Sequence, residues 1–141
     1  MTHPIHPLLV HFPVATWSLA TIGDIASLFL GEQVGWVAGV LLVIGIITAL
    51  FAMLAGLIEL AKIDQQSIAM QVANQHMVLA MISWSFYTIS LFLRLEGTTL
   101  TQPNIFAIVL SITGLLFLWA AGWKGGKLVY EYGIGVQQAD K

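Results

Sequence analysis

The sequence predicts an all-α membrane protein, an antiparallel bundle of four transmembrane helices joined by short loops. Two observations support this prediction. Of the 141 residues, 58% are hydrophobic and only 9% are charged, whereas a water-soluble domain has about 25% charged residues. Four segments also contain the roughly 20 apolar residues that a helix needs to cross a hydrocarbon core of about 30 Å. They cover residues 8–30, 36–60, 72–93 and 105–123.

The connections between these segments are too short to hold a separate soluble domain, so residues 1–141 are predicted to form one integral membrane domain. The N-terminus lacks the basic region of a cleaved signal peptide, and we expect the first segment to remain as a span. The chain has no cysteine, which excludes disulfides, thiolate metal sites and iron–sulfur clusters. A formal net charge of −2 gives no indication of a nucleic-acid partner.

Two prolines shape the first predicted helix. Pro7 suits the first turn, where its missing N–H is not needed. Pro13 lies inside the helix and is expected to kink it. Gly31 is the expected exit, followed by a tight turn through Glu32 and Gln33.

Small residues mark the second predicted helix, as close helix packing in lipid requires. This helix is expected to end between Glu59 and Lys62. Ser67 is the predicted N-cap of the third helix, and the fourth helix is predicted to run to the region of residues 122–126. The small residues of the second helix are Gly39, Gly45, Ala49, Ala52, Ala55 and Gly56.

Four antiparallel helices with short loops place both chain ends on the same membrane side, which we name side A; the opposite side is side B. Lys62, Lys124, Lys127 and Lys141 fall on side A, and Arg94 falls in a side B loop. The positive-inside rule therefore predicts that side A is the cytoplasmic side.

Two similar stretches indicate an internal repeat. The stretch 11–18 has the same spacing of His, Ala and Ser as the stretch 76–83, at an offset of 65 residues (76 − 11). Two helical hairpins related by an axis along the membrane normal would give this pattern. Chance matches are also common in a sequence rich in Ala and Leu.

The main candidate site is a histidine pair. His11 and His76 head the first and third predicted helices, which run parallel in this bundle, so we expect both side chains at similar depth near side A. Histidines within membrane segments usually face the bundle interior and mark a site. Two opposed neutral imidazoles above faces of Ala and Ser match the axial ligation of haem b. The alternatives are hydrogen bonding at the membrane interface, and proton or substrate handling.

Three histidines lie close together at the N-terminus: His3, His6 and His11. If His3 and His6 are helical they share a face, and with His11 they could form a nitrogen-rich site for Cu, Zn or Ni. However, Pro4 and Pro7 favour extended backbone at the residues before them. His6 is also a candidate haem ligand, either as a substitute for His11 or for a second haem, whereas a frayed terminus would leave His3 without a role.

Four charged residues within or beside the spans are further candidates. An unpaired Asp24 would cost about 2.5–3.5 kcal/mol near the bilayer centre; a structural hydrogen bond near side B is the favoured interpretation, with proton transfer as the alternative. Glu59, at the side A end of the second helix, is expected to pair with a histidine or with Lys62. Lys124 and Lys127 would bind haem propionates or lipid phosphates, or would simply snorkel to the interface.

The chain opens with His6-Pro7-Leu8-Leu9-Val10-His11-Phe12-Pro13 and closes with Gly125-Gly126-Lys127-Leu128-Val129-Tyr130 and Gly133-Ile134-Gly135-Val136. Gly23-Asp24, Gly56-Leu57-Ile58-Glu59 and His76 lie between them. Together these motifs resemble one bacterial family of small four-span membrane proteins, the domain-of-unknown-function 2231 family, over nearly the whole chain. The resemblance implies that His6, His11, Asp24 and His76 are its recurrent polar positions, and Glu59 stands where the family pattern implies Asp. Relatives joined to electron-transfer domains would fit a redox role.

We therefore predict a small cytochrome b that binds haem b near side A through His11 and His76 and passes electrons to a redox partner protein or a quinone. No stand-alone catalytic activity is expected. The alternatives are a transition-metal or proton-coupled membrane protein that uses the N-terminal histidines with Cu or Zn, and a structural subunit of a membrane complex. We expect the chain in a bacterial inner membrane with both termini cytoplasmic, in contact with lipid and with no nucleic-acid partner, and homo-oligomerisation is left open.

Overall fold

The computed structural model describes residues 5–136 and has the predicted all-α architecture. The helices α1 and α2 pack closely against each other as one antiparallel hairpin, hairpin 1, and α3 and α4 form hairpin 2 in the same way. A small antiparallel pair of two-residue strands lies between α3 and α4. The elements are α1 Ile5–Leu30, α2 Glu32–Leu60, α3 Ile68–Phe92, β1 Leu95–Glu96, β2 Thr99–Leu100 and α4 Ile105–Tyr130.

The helices are longer than the spans that the sequence predicts. They contain 26, 29, 25 and 26 residues, and at 1.5 Å per residue each exceeds a hydrocarbon core of about 30 Å. The last helix, α4, passes through residues 125–126 and ends at Tyr130. The predicted end in the region of residues 122–126 is therefore too early: the glycines there do not terminate the helix, and Gly125 packs against the His76 ring of α3.

Three of the four helices, α1, α2 and α4, are long and apolar enough to cross a membrane. The third, α3, is as long but less apolar, since Gln71, Asn74, Gln75 and His76 occupy its first half. The predicted span over residues 72–93, which corresponds to α3, therefore stays a prediction.

Local residues explain the helix ends. Gly31 separates α1 from α2 with a φ of 89°, a left-handed conformation that glycine adopts without strain. The exit at Gly31 is confirmed, but α2 begins directly at Glu32 instead of after a turn. The predicted cap of α3 is also confirmed, because the Ser67 hydroxyl accepts a hydrogen bond from the Met70 amide at 3.1 Å.

The two hairpins are structurally repeated, but at a different offset from the predicted one. The rings of Trp17 and Tyr87 stack with centroids 4.6 Å apart, and these residues are 70 positions apart in the chain (87 − 17). The same offset of 70 relates Asp24 to Arg94, which form a buried ion pair. The predicted offset of 65 is therefore wrong, because it matched residue types and not the positions that meet in the bundle.

Glycines of the second helix in each hairpin follow this repeat at an offset of 69. Gly45 of α2 leaves space for the Trp17 indole, and Gly114 of α4 leaves space for the Tyr87 ring. A β-carbon at Gly45 would overlap the indole, and one at Gly114 would come within 3.0 Å of the tyrosine ring. The centre of the bundle is thus an aromatic pair held between two glycines.

Candidate functional site: a histidine pair between the hairpins

His6 and His76 lie next to each other at the side A end of the bundle. His6 is in the first turn of α1 and His76 is in the third turn of α3. Their ring centroids are 6.1 Å apart and their planes are nearly perpendicular, at 84°. Each hairpin therefore contributes one imidazole to this contact between them.

Matching hydrogen bonds hold both rings. The Nδ1–H of His6 donates to the Ala52 carbonyl at 2.7 Å, and the Nδ1–H of His76 donates to the Ala121 carbonyl at 2.8 Å. A carbonyl oxygen only accepts, so Nδ1 carries a proton in both rings and Nε2 is the nitrogen at which either ring could bind a metal. Among residues 5–136, no protein group is hydrogen-bonded to either Nε2.

A glycine of the same hairpin packs against each ring. A β-carbon at Gly56 would lie 3.1 Å from the His6 ring, and one at Gly125 would lie 3.3 Å from the His76 ring. These two glycines also obey the repeat, at an offset of 69 (125 − 56). Each imidazole is thus held between a backbone carbonyl and a glycine of its own hairpin. A hydrogen bond from the second ring nitrogen orients metal-binding histidines in the same way.

Glu59 distinguishes hairpin 1 from hairpin 2 at this end. Its Oε1 accepts a hydrogen bond from the His6 backbone amide at 3.3 Å. A carboxylate at the start of a helix satisfies a free amide and interacts favourably with the helix dipole. Glu59 therefore holds the first turn of α1, and with it His6, against the end of α2.

His11 does not take part in this pair, so the predicted pairing of His11 with His76 is wrong. Its side chain is exposed on the outer surface of α1. Five residues of α-helix turn the chain by about 500°, so His11 points about 140° away from His6. The same geometry prevents these two residues from converging on a shared ion, and His3 lies outside the described residues. Within 5–136, no group of three or more His, Cys, Asp or Glu side chains could hold a metal ion.

The two C-terminal lysines lie near side A but not between the histidines. Lys127 pairs with Glu131 at 3.2 Å, one helical turn away. Lys124 lines a shallow surface groove on the outer side of α3 and α4, together with Asn74, Gln75, Val78 and Leu79. In this structure both lysines belong to the rim of the bundle.

The buried polar group at side B is an ion pair. Asp24 and Arg94 are both fully buried, and Nη1 and Nη2 of Arg94 donate to Oδ1 and Oδ2 of Asp24 at 2.7 Å each. The Ser111 hydroxyl also donates to Oδ2 at 2.7 Å. Asp24 is thus hydrogen-bonded as expected, but its main partner was missed. Arg94, which the sequence places in a side B loop, is a buried residue whose guanidinium reaches Asp24.

A network of hydroxyl groups extends from this ion pair to the centre of the bundle. Ser90 contacts both Arg94 and Ser111. Thr21 donates to the Ser111 carbonyl at 3.3 Å, and its hydroxyl lies 2.9 Å from the Tyr87 hydroxyl. Only the repeat at an offset of 70 could have revealed Tyr87 and Arg94 from the sequence, as the counterparts of Trp17 and Asp24.

The surface of this bundle is that of a membrane protein. Large apolar side chains on the outer face are strongly exposed, for example Phe29 at 83%, Phe106 at 72% and Trp123 at 79%, while the charged pair is buried. A water-soluble protein has the opposite arrangement, so the fold defines a helical membrane protein.

The chain belongs to the family described as "Predicted membrane protein (DUF2231)", whose model matches residues 2–138. This agrees with the family that the sequence motifs resemble. No curated protein and no solved structure shows a significant match to the chain.

Proposed function

We propose that His6 and His76 would hold one haem b and that the protein passes electrons at the membrane. The observation that supports this proposal is the pair of adjacent imidazoles, one from each hairpin, in which Nδ1 donates to a backbone carbonyl and Nε2 has no described partner. Within the described residues it replaces the ligand pair predicted from the sequence, with His6 in the place of His11.

The two rings lie close enough together that both could hold the same group. The centroids of His6 and His76 are 6.1 Å apart. Histidines that bind a metal through Nε2 commonly donate a hydrogen bond from Nδ1 to a backbone carbonyl. This bond fixes the tautomer and makes the ligating nitrogen more basic.

The group would lie in the space between the two hairpins. Packing is closer within each hairpin than between them, and the side A end of this space is near the membrane surface because His6 is in the first turn of α1. When bound, haem b supplies one-electron chemistry. The protein holds it in an apolar environment close to a partner in the aqueous phase or to a quinone in the bilayer.

The surroundings of the site suggest the orientation. Lys62, Lys124 and Lys127 lie at side A, so the positive-inside rule favours a cytoplasmic side A in a bacterial inner membrane. Lys124 and Lys127 are close enough to side A to attract haem propionates or lipid phosphates at the rim.

A single copper or zinc ion between the two Nε2 atoms is the second candidate. Zinc sites use three or four protein ligands, while the described residues offer two nitrogens and no third His, Cys, Asp or Glu. The pair is therefore better suited to haem, which requires only two axial ligands from the protein.

Absorption spectroscopy tests the proposal. We expect the protein purified in detergent, after titration with haem, to bind one equivalent and to show a Soret band. His6→Ala and His76→Ala should each lose this band. His11→Ala is the matched control, because it removes an exposed histidine of the same helix, and it should keep the band. A wild-type protein that stays colourless but contains stoichiometric copper or zinc, or a band lost only in His11→Ala, would contradict the proposal.

A further inference from the structure

Three pairs of residues, each 70 positions apart in the chain, connect hairpin 1 to hairpin 2 along the bundle axis. They are His6 with His76, Trp17 with Tyr87, and Asp24 with Arg94. We name the interior surface formed by these pairs the seam. The first two pairs join side chains of the same kind, whereas the third joins opposite charges.

This difference matters because the two hairpins are repeats of one another. If hairpin 1 met the hairpin 1 of a second copy, the repeat would bring His6 against His6 and Trp17 against Trp17, and both contacts are tolerable. It would also bring Asp24 against Asp24. Two hairpins of the second kind would bring Arg94 against Arg94, and an uncompensated charge in an apolar interior is strongly unfavourable.

We propose that the Asp24–Arg94 pair is a pairing determinant: it makes the seam surface of hairpin 1 an interaction surface for hairpin 2 alone and rejects a like hairpin of a second copy. The geometry supports a specific role. Both side chains are fully buried, the contact is bidentate at 2.7 Å, and Ser90 and Ser111 hydrogen-bond to the pair. Opposite-charge and repulsive contacts of this kind set partner choice elsewhere.

The chain connection alone does not enforce the correct pairing. Residues 61–67 join the hairpins, and seven extended residues reach about 23 Å. Packed helix axes are only about 8–10 Å apart. The hairpins of two copies could therefore exchange across this link, as in domain swapping, and some feature of the seam must select the native pairing.

Complementation between full-length chains tests the inference. Asp24→Arg places two arginines in its own seam and Arg94→Asp places two aspartates there, so each variant alone should fall at least about tenfold below wild type in protease-resistant, membrane-inserted protein. Co-expressed with different tags, the two variants should rescue each other and co-purify, because exchanged hairpins restore both opposite-charge pairs. Glu32→Arg with Arg94→Asp is the control, since Glu32 is exposed at the same end, and it should not rescue.

A second variant keeps the inference testable if charge reversal distorts the seam. Asp24→Leu/Arg94→Met removes both charges, and two differently tagged copies of it should co-purify several-fold more than two tagged wild-type copies. Equal co-purification of the two would overturn the inference. A second result would also overturn it. In that result the cis double reversal, Asp24→Arg/Arg94→Asp, accumulates normally, but the two co-expressed variants give no more protease-resistant, membrane-inserted protein than either variant alone. Neither result depends on haem binding.

Discussion

Replacing Arg94 with methionine leaves the buried carboxylate of Asp24 with a single described partner. The wild-type carboxylate receives two hydrogen bonds from the guanidinium and one from Ser111, all at 2.7 Å. Arg94→Met removes both charge-assisted bonds and retains most of the side-chain length. Breaking a buried ion pair by removing one partner costs about 3–5 kcal/mol, which is roughly a 150- to 5,000-fold change in the unfolding equilibrium.

The double variant Asp24→Leu/Arg94→Met measures what the whole ion pair contributes to the free energy of unfolding, separately from the cost of one unpaired charge. Replacing a buried ion pair by apolar residues of similar size is often neutral or stabilising. We therefore expect the double variant to lie within about 1 kcal/mol of wild type or above it, so that the two substitutions are strongly non-additive. Lys62→Met is the matched control at an exposed cation, and it should leave the free energy of unfolding unchanged.

Unfolding by sodium dodecyl sulfate in mixed micelles, followed by tryptophan fluorescence, measures these differences, because Trp17 is buried in the bundle centre. An Arg94→Met protein within 1 kcal/mol of wild type would refute the reasoning. A double variant as unstable as the single one would also refute it, since the loss would then come from packing and not from the unpaired carboxylate.

Two further substitutions test the aromatic centre of the seam. Gly45→Ala should destabilise the protein by about 1–3 kcal/mol, because the new methyl group overlaps the Trp17 indole. Gly122→Ala is the control, because a β-carbon at Gly122 has no neighbouring atom within 4 Å. It should be neutral or slightly stabilising in the same unfolding assay. Tyr87→Phe keeps the stacked rings but removes the hydroxyl next to Thr21, so it should lower the free energy of unfolding by about 0.5–1.5 kcal/mol. A larger loss than that of Gly45→Ala would show that the hydroxyl network contributes more than the ring packing.

The helices were predictable because the signals for them are local. Apolar runs of sufficient length, a glycine at Gly31 and a cap at Ser67 mark their positions with no knowledge of the partner helices. The first span was predicted from residue 8, whereas α1 begins at Ile5. His6 therefore lay outside the predicted span, although Pro7 was placed in the first turn of the helix.

The site was less predictable because the register between the two hairpins decides which residues meet in it. That register depends on contacts between residues far apart in the sequence. Matching identical residue types aligned His11 with His76, while the bundle aligns His6 with His76. The correct register also pairs Trp17 with Tyr87 and Asp24 with Arg94, and neither of these two pairs consists of identical residues. A search for complementary pairs at one fixed offset would have detected both the register and the ion pair.

Each hairpin enters the bundle from side A and returns to it, since α1 and α3 run parallel in the seam and the link at residues 61–67 lies at that same side. The order of the two hairpins along the polypeptide is therefore not required by the contacts between them. A circularly permuted chain that begins near Gln65 and joins residue 136 to residue 5 through a flexible linker would preserve all three seam pairs.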